Sequence, residues 1–379
     1  MNIDPAYAPA TEAELAELMR AHFRDRAPLR VSGGGTRVQT GHLPGAALSL
    51  SRLSGVVTYA PGELTLIARA GTPLDEINAL LAAEGQALAF EPPDMRGLLG
   101  ANGVPTIGGV VAANASGPRR LLAGACRDHL LGLRFVDGQG RIIKNGGRVM
   151  KNVTGLDLGK LLSGAHGTLG VVTEVALKIL PHLPERMTLA IRDITAAEAV
   201  GVFARALATP FEVSGAAWRN GTAWLRIEGL GTAQLTYRRD RLLALMPGRM
   251  VEQLDGPASV ALWRDLRDVT HFAGGAAPLW RLLVKPSEAP RVLAALEELG
   301  GATSLDWGGG LVWYCGPGSA AAVRRVAAHA TLIRRGGDEG GGHEGPAFPP
   351  QAPGIARLSE GLRRTFDPAG ILNPGLMEA

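Results

Sequence analysis

Three glycine-rich segments contain the residue types that could hold a ligand through the backbone. They are SGGGT (32–36), TIGGVVAANASG (106–117) and GAHGTLG (164–170). Glycine lets a backbone approach another group closely, and successive N–H groups turned to one side can bind an anion. For the first and third segments an ordinary turn is an equal alternative. For the second, the alternative is close helix packing through small residues.

The first segment differs from the two common phosphate-binding loops. No lysine closes it, as the GxxxxGK[ST] loop of a nucleoside triphosphatase would require. It is not GxGxxG either, and the polar run TRVQTG follows where a dinucleotide-binding loop would enter a helix. The remaining binding hypothesis is a glycine nest, in which consecutive backbone N–H groups bind an anion and Ser32 and Thr36 add hydroxyl donors.

Other residues of possible chemical use lie in the second half of the chain. His271 and Arg281 could recognise a carboxylate together, because arginine binds carboxylates bidentately and histidine is a general base. The alternative for Arg281 is one side of an exposed strand. Four potential metal ligands lie in a Gly/Pro-rich stretch, 336–354, with no recognised ligand spacing: Asp338, Glu339, His343 and Glu344. We therefore predict no metal site.

Composition restricts the class of protein. The 379 residues, 46% hydrophobic and 20% charged, predict a globular chain of two domains or one domain with a large insertion. The net charge is +4 without a basic stripe, so nucleic acid is not an expected partner. Two cysteines without a CxxC motif exclude an iron–sulfur cluster held by this chain alone. No signal peptide or long apolar run is visible, so we expect a cytoplasmic protein, at most peripheral to the inner membrane through a complex.

Local signals predict the elements that position the first two segments. Thr11 and Glu14 form a capping-box pattern at the start of a helix, 11–26. A second helix should have Thr72 as its N-cap and end at Gly85. The small-residue stretch 90–120 predicts either a mobile loop or a buried path lined by backbone.

The third segment should enter a strand, 170–180, after a hairpin that turns at Asp137-Gly138. Over residues 185–330, helix-like stretches alternate with strand-like ones, which predicts a separate α+β domain. Its helices are expected at 195–208, 257–268, 286–299 and 319–330, and its strands at 223–227, 279–284 and 311–315. A last helix is expected at 355–366.

The order of these motifs resembles a known family. RVSGGGTRVQTG, FEPPD, TIGGVVAANASGPRR, the run from Arg127 to Pro181, and FDPAGILNPG are similar to the FAD-binding domain of the vanillyl-alcohol oxidase / p-cresol methylhydroxylase (PCMH) class. They resemble more closely the FAD-binding E-type subunit of bacterial glycolate oxidase (glycolate dehydrogenase). The resemblance covers residues 12–183 and the tail, and the middle domain matches only in size and position.

The resemblance implies an α+β fold with a two-subdomain PCMH-type FAD-binding domain over 1–183. A smaller α+β cap domain would cover 184–335, and 336–379 would be a linker and a tail returning to the FAD domain. The pyrophosphate would be held by Ser32, Gly33, Gly34, Gly35 and Thr36. The flavin and its phosphoribityl arm would be lined by Pro93, Thr106, Gly108, Gly109, Asn114, Ser116 and Gly117. Backbone contacts to the ring or the adenine end would come from Gly167, Gly170, Val171 and Val172. Asn373 would close over the flavin.

The sequence departs from the family pattern at three places, which affects the expected FAD attachment, substrate site and catalytic base. Covalent members have a histidine near the glycine loop, whereas Thr36 follows the glycines here, so FAD should be bound non-covalently; His42 is a weak alternative linkage site. The HAGDGN-type segment of catalytic 2-hydroxy-acid relatives is absent. Ala165-His166 stands where Ser-Glu is common, and His166 is either a base beside the flavin or an ordinary turn residue.

The expected function is that of a flavoprotein subunit in a complex that oxidises glycolate, a 2-hydroxy acid, to glyoxylate. Because the HAGDGN-type segment is missing, a paralogous FAD-containing D-type subunit would carry the main substrate site. An iron–sulfur F-type subunit would accept the electrons. Two alternatives stay open: a stand-alone FAD-dependent alcohol or hydroxy-acid oxidoreductase, and a non-catalytic scaffold that retains the fold.

Overall fold

The structure, a computed structural model, describes residues 6–38, 42–147, 155–336 and 346–377. Its contacts divide the chain into two units. The first comprises Met1–Ser116, Ala125–His182 and Pro350–Ala379, and the second comprises Gly117–Gly124 and Leu183–Pro349. Helices and sheets occur in both units, and the predicted α+β class is confirmed.

The elements up to residue 182 are short. In chain order they are α1 (Glu12–Asp25), β1 (Leu29–Ser32), β2 (Ala46–Ser49), β3 (Val56–Ala60), β4 (Thr65–Arg69), α2 (Leu74–Ala83), β5 (Gln86–Ala87), α3 (Arg96–Leu99), α4 (Ile107–Ala112), α5 (Arg120–Ala123), β6 (Leu130–Val136), β7 (Ile142–Gly146), α6 (Leu158–Leu162), β8 (Val171–Lys178) and β9 (Leu180–Pro181).

The elements that follow are longer and alternate in type. They are β10 (Glu185–Ile191), α7 (Ala196–Leu207), β11 (Val213–Arg219), β12 (Thr222–Gly229), α8 (Thr232–Leu243), β13 (Val251–Asp255), α9 (Gly256–Arg267), β14 (Leu279–Leu283), α10 (Ala289–Glu297), β15 (Ala302–Asp306), β16 (Leu311–Cys315), α11 (Ala320–Val326), β17 (Ala330–Arg334) and α12 (Pro353–Phe366).

The first unit is built on a five-stranded antiparallel sheet in the order β3-β4-β8-β6-β7. A parallel pair, β1-β2, carries the chain into the first glycine-rich segment. The buried sides of β4 and β8 share one core with α1, α2 and α4. Because α4 belongs to this core, the second glycine-rich segment is held by packing rather than left as a free loop.

The second unit is built on an eight-stranded antiparallel sheet in the order β13-β10-β12-β11-β15-β16-β14-β17. Helices α7 and α10 cover part of one face and form its core with the inward side chains of the central strands. Thr195 begins α7 with a complete capping box to Glu198. No helix in the described ranges is long and apolar enough to cross a membrane.

Several local predictions are confirmed. Thr11 caps α1, the hairpin β6-β7 turns after Val136, and α12 ends at Phe366. The cap of α2 was predicted wrongly: the helix follows Pro73 without a side-chain cap, while the Thr72 hydroxyl accepts a hydrogen bond from the Gly55 N–H at 3.0 Å.

Two other predictions need correction, and several elements were not predicted. Residues 90–120, expected to be a mobile loop or a buried path lined by backbone, contain α3, α4 and the start of α5. The helix expected at 319–330 ends at Val326, and β17 begins at Ala330. Strands β10, β11, β13, β15 and β17 and helix α8 were not predicted, since their apolar positions do not alternate regularly enough to be separated from helix.

Candidate cofactor-binding site

The glycine-rich segments meet at one cavity in the first unit. The cavity measures about 780 Å³, including the space open to solvent at its mouth, which lies within the range for cofactor and ligand sites. The predicted site residues that line it are Ser32, Gly33, Gly34, Gly35, Thr36, Thr106, Gly108, Gly109, His166, Gly167, Gly170, Val171, Val172 and Asn373.

The first loop uses its glycines in two different ways. A Cβ on Gly34 would lie 1.7 Å from the Val104 carbonyl oxygen, and a Cβ on Gly103 would lie 1.7 Å from the Gly34 carbonyl oxygen. Gly35 faces open space but has a φ of +67°, a conformation that favours glycine. Gly34 is therefore required by contact with the Gly103–Val104 backbone, and Gly35 by its own conformation.

The same loop has unused hydrogen-bond donors. Within the described part of the chain, the backbone N–H groups of Gly34, Gly35 and Thr36 donate to no protein acceptor. Successive N–H groups without acceptors form an anion-binding nest. This part of the cavity therefore fits a phosphate or pyrophosphate group.

The second segment lines the cavity differently. Thr106 begins α4, and its hydroxyl accepts a hydrogen bond from the Gly109 N–H at 3.4 Å. The Gly108 N–H donates to the Ala70 carbonyl at 2.8 Å, and a Cβ on Gly108 would lie 2.6 Å from that of Ala70. These N–H groups are engaged within the protein. The segment therefore offers the cavity a smooth surface and not a set of donors.

The third segment is joined to the first by the C-terminal tail. The buried side chain of Asn373 accepts a hydrogen bond from the Val31 N–H at 2.7 Å and donates to the His166 carbonyl at 2.9 Å. Because Asn373 satisfies both neighbours, it is a bridge in the cavity wall that fixes β1 against the turn before β8. His166 has a φ of +51° in that turn.

Four predicted ligands are not among the described residues that line the cavity: Pro93, Asn114, Ser116 and Gly117. The Asn114 side chain accepts from the Arg127 N–H at 3.0 Å, and the Ser116 hydroxyl accepts from the Cys126 N–H at 2.9 Å. Gly117 belongs to the second unit, where its carbonyl accepts from the Trp307 indole at 3.1 Å. These polar groups stabilise the turn after α4.

Sequence reasoning missed Arg37, a cationic residue in the cavity wall. The positive charge of Arg37 also acts on Asp94. Burial would raise the pKa of Asp94, but hydrogen bonds from Arg96 and the nearby charge of Arg37 lower it overall. The signal was available in the sequence as a cation directly after the glycine loop. Its charge adds to the preference of the nest for an anion.

The other candidates lie apart from this cavity or outside the described residues. His42 is not among its lining residues. Asp338, Glu339, His343 and Glu344 fall outside the described residues, and within those no cluster of three or more potential ligands could hold a metal ion. Both cysteines are free thiols, and burial raises the pKa of Cys126 to about 12.

His271 and Arg281 both lie in the second unit. His271 Nε2 is 2.9 Å from the Ser304 hydroxyl, and burial, aided by the charge of Arg219, lowers the pKa of His271 to about 4. Its neutral ring is therefore a weak base. Arg281 is partly buried and stacks on Trp307, so the exposed-strand interpretation of Arg281 is wrong.

Comparisons with known proteins agree with this architecture. Residues 4–146 match the FAD binding domain family. The chain is 34% identical over 371 residues to glycolate oxidase subunit GlcE of Escherichia coli (strain K12), covering 96% of this chain and 97% of that protein. It is 33% identical over 190 residues to glycolate oxidase subunit GlcD of Bacillus subtilis (strain 168), covering 49% and 39%. A solved structure of alkyldihydroxyacetonephosphate synthase has the same fold, with a TM-score of 0.66 at 15% identity over 98% of this chain and 77% of that one.

Proposed function

The chain belongs to the family of glycolate oxidase subunit GlcE, and we propose that it is the FAD-binding subunit of a glycolate oxidase. Its cofactor is FAD, and its class is that of FAD-linked oxidoreductases acting on CH–OH groups. The observation that carries the proposal is the meeting of three glycine-rich segments at one cavity with unused N–H donors.

The residues present fit FAD in a defined way. The pyrophosphate would be held by the N–H groups of Gly34, Gly35 and Thr36, with the charge of Arg37 beside them. The smooth surface of α4 and the Gly167–Val172 turn would face the flat parts of the cofactor, and Asn373 would keep these walls together. When bound, FAD supplies the two-electron acceptor for oxidation of a CH–OH group, while the chain binds and orients it.

Non-covalent attachment is part of the proposal. Thr36 is buried at the end of the glycine loop, where covalent relatives would need a histidine. Purified chain reconstituted with FAD should carry one flavin, and denaturation should release it into the soluble fraction. Flavin that stays with the precipitated chain would contradict non-covalent binding, and a chain that never takes up FAD would contradict the proposed function.

The remaining part of the proposal concerns partners. A paralogous FAD-containing D-type subunit would carry the main site for glycolate, and an iron–sulfur F-type subunit would accept the electrons. The names of two relatives, both glycolate oxidase subunits, support a complex. The purified chain should therefore not turn over glycolate with an artificial acceptor unless its partners are added, and turnover by the chain alone would contradict this division.

Helix α12 supports membership in a complex. Its only buried residue is Phe366, whereas Ile355, Leu358 and Leu362 form an apolar stripe and are 55%, 67% and 37% exposed. A helix of this length gains most of its stability from packing of an apolar face, and surface stripes of this kind often mark protein contacts. Leu358→Glu should reduce co-purification with the D-type subunit while FAD binding is retained. A matched change on the polar face, Arg357→Glu, should have a smaller effect.

A further inference from the structure

A short segment of the second unit is inserted into the chain of the first unit. We call this segment, Gly117–Gly124, the strap; it belongs to the second unit, whereas the chain before and after it belongs to the first. The strap contains α5 and packs on β11. Because the chain is continuous, whatever holds the strap also limits where the two flanking residues, Ser116 and Ala125, can lie.

The chain on either side of the strap is closed into a loop by two hydrogen bonds of the first unit. The Ser116 hydroxyl accepts from the Cys126 N–H at 2.9 Å, and the Asn114 side chain accepts from the Arg127 N–H at 3.0 Å. The end of α4 and its C-cap, residues 112–113, line the FAD cavity, and only three residues separate them from the strap. A displacement of the strap would therefore reach the cavity wall over a short and well-bonded path.

The main polar anchor of the strap is an ion pair in the second unit. Arg119 Nε donates to the Glu228 carboxylate at 2.7 Å, and the two side chains are only 11% and 2% exposed. Hydrogen bonds between two charged groups are stronger than neutral ones and have a defined geometry. The Trp307 indole adds a bond to the Gly117 carbonyl at 3.1 Å, and Leu121 packs against the core of this unit.

Glu228 stays charged although it is buried. Burial would raise its pKa, but the charges of Arg226, Arg119 and Arg186 lower it to about 2. Arg186 also forms an ion pair with it at 3.1 Å. Glu228 would therefore keep cationic neighbours if Arg119 were replaced, and the loss of Arg119 would release the strap without leaving a buried carboxylate alone.

Stability alone does not explain an ion pair at this position. The cost of removing two charges from water is comparable to the attraction between them, and apolar side chains of similar volume often stabilise a fold equally well. What the pair adds is a fixed position, because the guanidinium must meet the carboxylate at one place on β12. Apolar packing of Leu121 alone would tolerate small displacements of the strap.

We propose that Glu228 is a positioning residue for FAD: by binding Arg119 it fixes the strap, and through the strap it fixes the end of α4 that lines the cavity. The proposal rests on the proposed function, because it assumes that this cavity holds FAD. Glu228 is not among the residues that line the cavity, so its effect is on the shape of the wall and not on a ligand contact. The second unit thereby contributes to FAD affinity through the continuity of the chain.

The test is titration of the full chain, freed of flavin, with FAD, followed by the change in flavin fluorescence. Arg119→Met removes the charge at similar volume, and Arg119→Lys keeps it without the planar fork. Glu212→Gln is the matched control, because Glu212 also pairs with an arginine of the second unit, Arg238, but not with the strap. Arg119→Met should raise the Kd for FAD roughly 3- to 30-fold and Arg119→Lys by less, whereas Glu212→Gln should leave it unchanged.

A double variant tests whether Glu228 acts through Arg119. Glu228→Gln should weaken FAD binding in the same direction as Arg119→Met. The combination Arg119→Met/Glu228→Gln should bind FAD no more weakly than Glu228→Gln alone, because both changes break the same ion pair. Additive losses of affinity would show that Glu228 acts by another route and would overturn the inference.

Hydrogen exchange separates this positioning role from general destabilisation. The N–H groups of residues 113–115 donate to carbonyls of α4, and they should exchange faster in Arg119→Met than in the unmodified chain, while those of β4 keep their rates. General destabilisation would speed up both sets. Unchanged FAD affinity in Arg119→Met, an equal loss in Glu212→Gln, or unchanged exchange at 113–115 would each overturn the inference. If Arg119→Met does not fold, Arg119→Lys takes its place in these comparisons. Unmodified chain that takes up no FAD would contradict the proposed function instead.

Discussion

The contact between the first glycine loop and the segment before α4 gives a sharp prediction for Gly34→Ala. The added Cβ would lie 1.7 Å from the Val104 carbonyl oxygen, a distance that real Cβ atoms do not reach. The two backbones would have to separate by more than about 1 Å in a closely packed region. We expect Gly34→Ala to lower the free energy of unfolding by about 3 kcal/mol or more, at the upper end of the range for overpacking.

Gly35→Ala is the matched control in the same loop. A Cβ there meets nothing within 4 Å, and the φ of +67° is the only source of strain. The expected loss is therefore about 1 kcal/mol, the cost of a left-handed conformation for a residue with a Cβ. Urea unfolding followed by tryptophan fluorescence measures both stabilities, and flavin content after reconstitution reports whether the nest of N–H groups survives.

The double variant Gly34→Ala/Gly103→Ala tests whether the backbone contact between these two glycines causes the loss of stability. A Cβ on Gly103 would clash with the Gly34 carbonyl at the same distance, so the two glycines serve one contact. Once Gly34→Ala has separated the backbones, Gly103→Ala should add little, and the two losses should not be additive. Equal losses for Gly34→Ala and Gly35→Ala, or strictly additive losses for Gly34→Ala and Gly103→Ala, would refute the reasoning.

Three further predictions concern single side chains. Asn373→Ala should lower the free energy of unfolding by about 2–4 kcal/mol and weaken FAD binding, because it removes the hydrogen bonds of Asn373 with the Val31 N–H and the His166 carbonyl. Denaturant unfolding and flavin titration measure this, and an unchanged stability would contradict the bridging role. The His271 ring should stay neutral until the pH falls to about 4, and since its folded pKa is depressed, its contribution to stability should be lost as the pH falls from about 6.5 towards 4. An NMR titration midpoint near 6.5 would disprove the burial of that ring. The Cys126 thiol, with its pKa raised to about 12, should resist a thiol reagent in the native chain and react after unfolding, and rapid native labelling at Cys126 would be inconsistent with the structure.

Local chemistry made part of the structure predictable. The start of α1 at Thr11, the hairpin β6-β7 and the start of α7 at Thr195 follow from side-chain and turn preferences that act within a few residues. The N-cap signal at Thr72 was misleading. Thr72 has the side chain of an N-cap, but its hydroxyl is engaged by Gly55, which only the fold brings near.

The sequence by itself determined which short segments could hold a ligand through the backbone and that their glycines matter, since residue type and order are local properties. Only the tertiary structure decided what each glycine does: Gly34 avoids Val104, whereas Gly35 adopts a positive φ. It also decided that Asn373, from the far end of the chain, bridges β1 and the turn before β8, and that Arg281 is desolvated beside Trp307. The physical reason is that hydrogen-bond partners, steric contact and desolvation depend on residues distant in sequence, and packing alone brings those residues together.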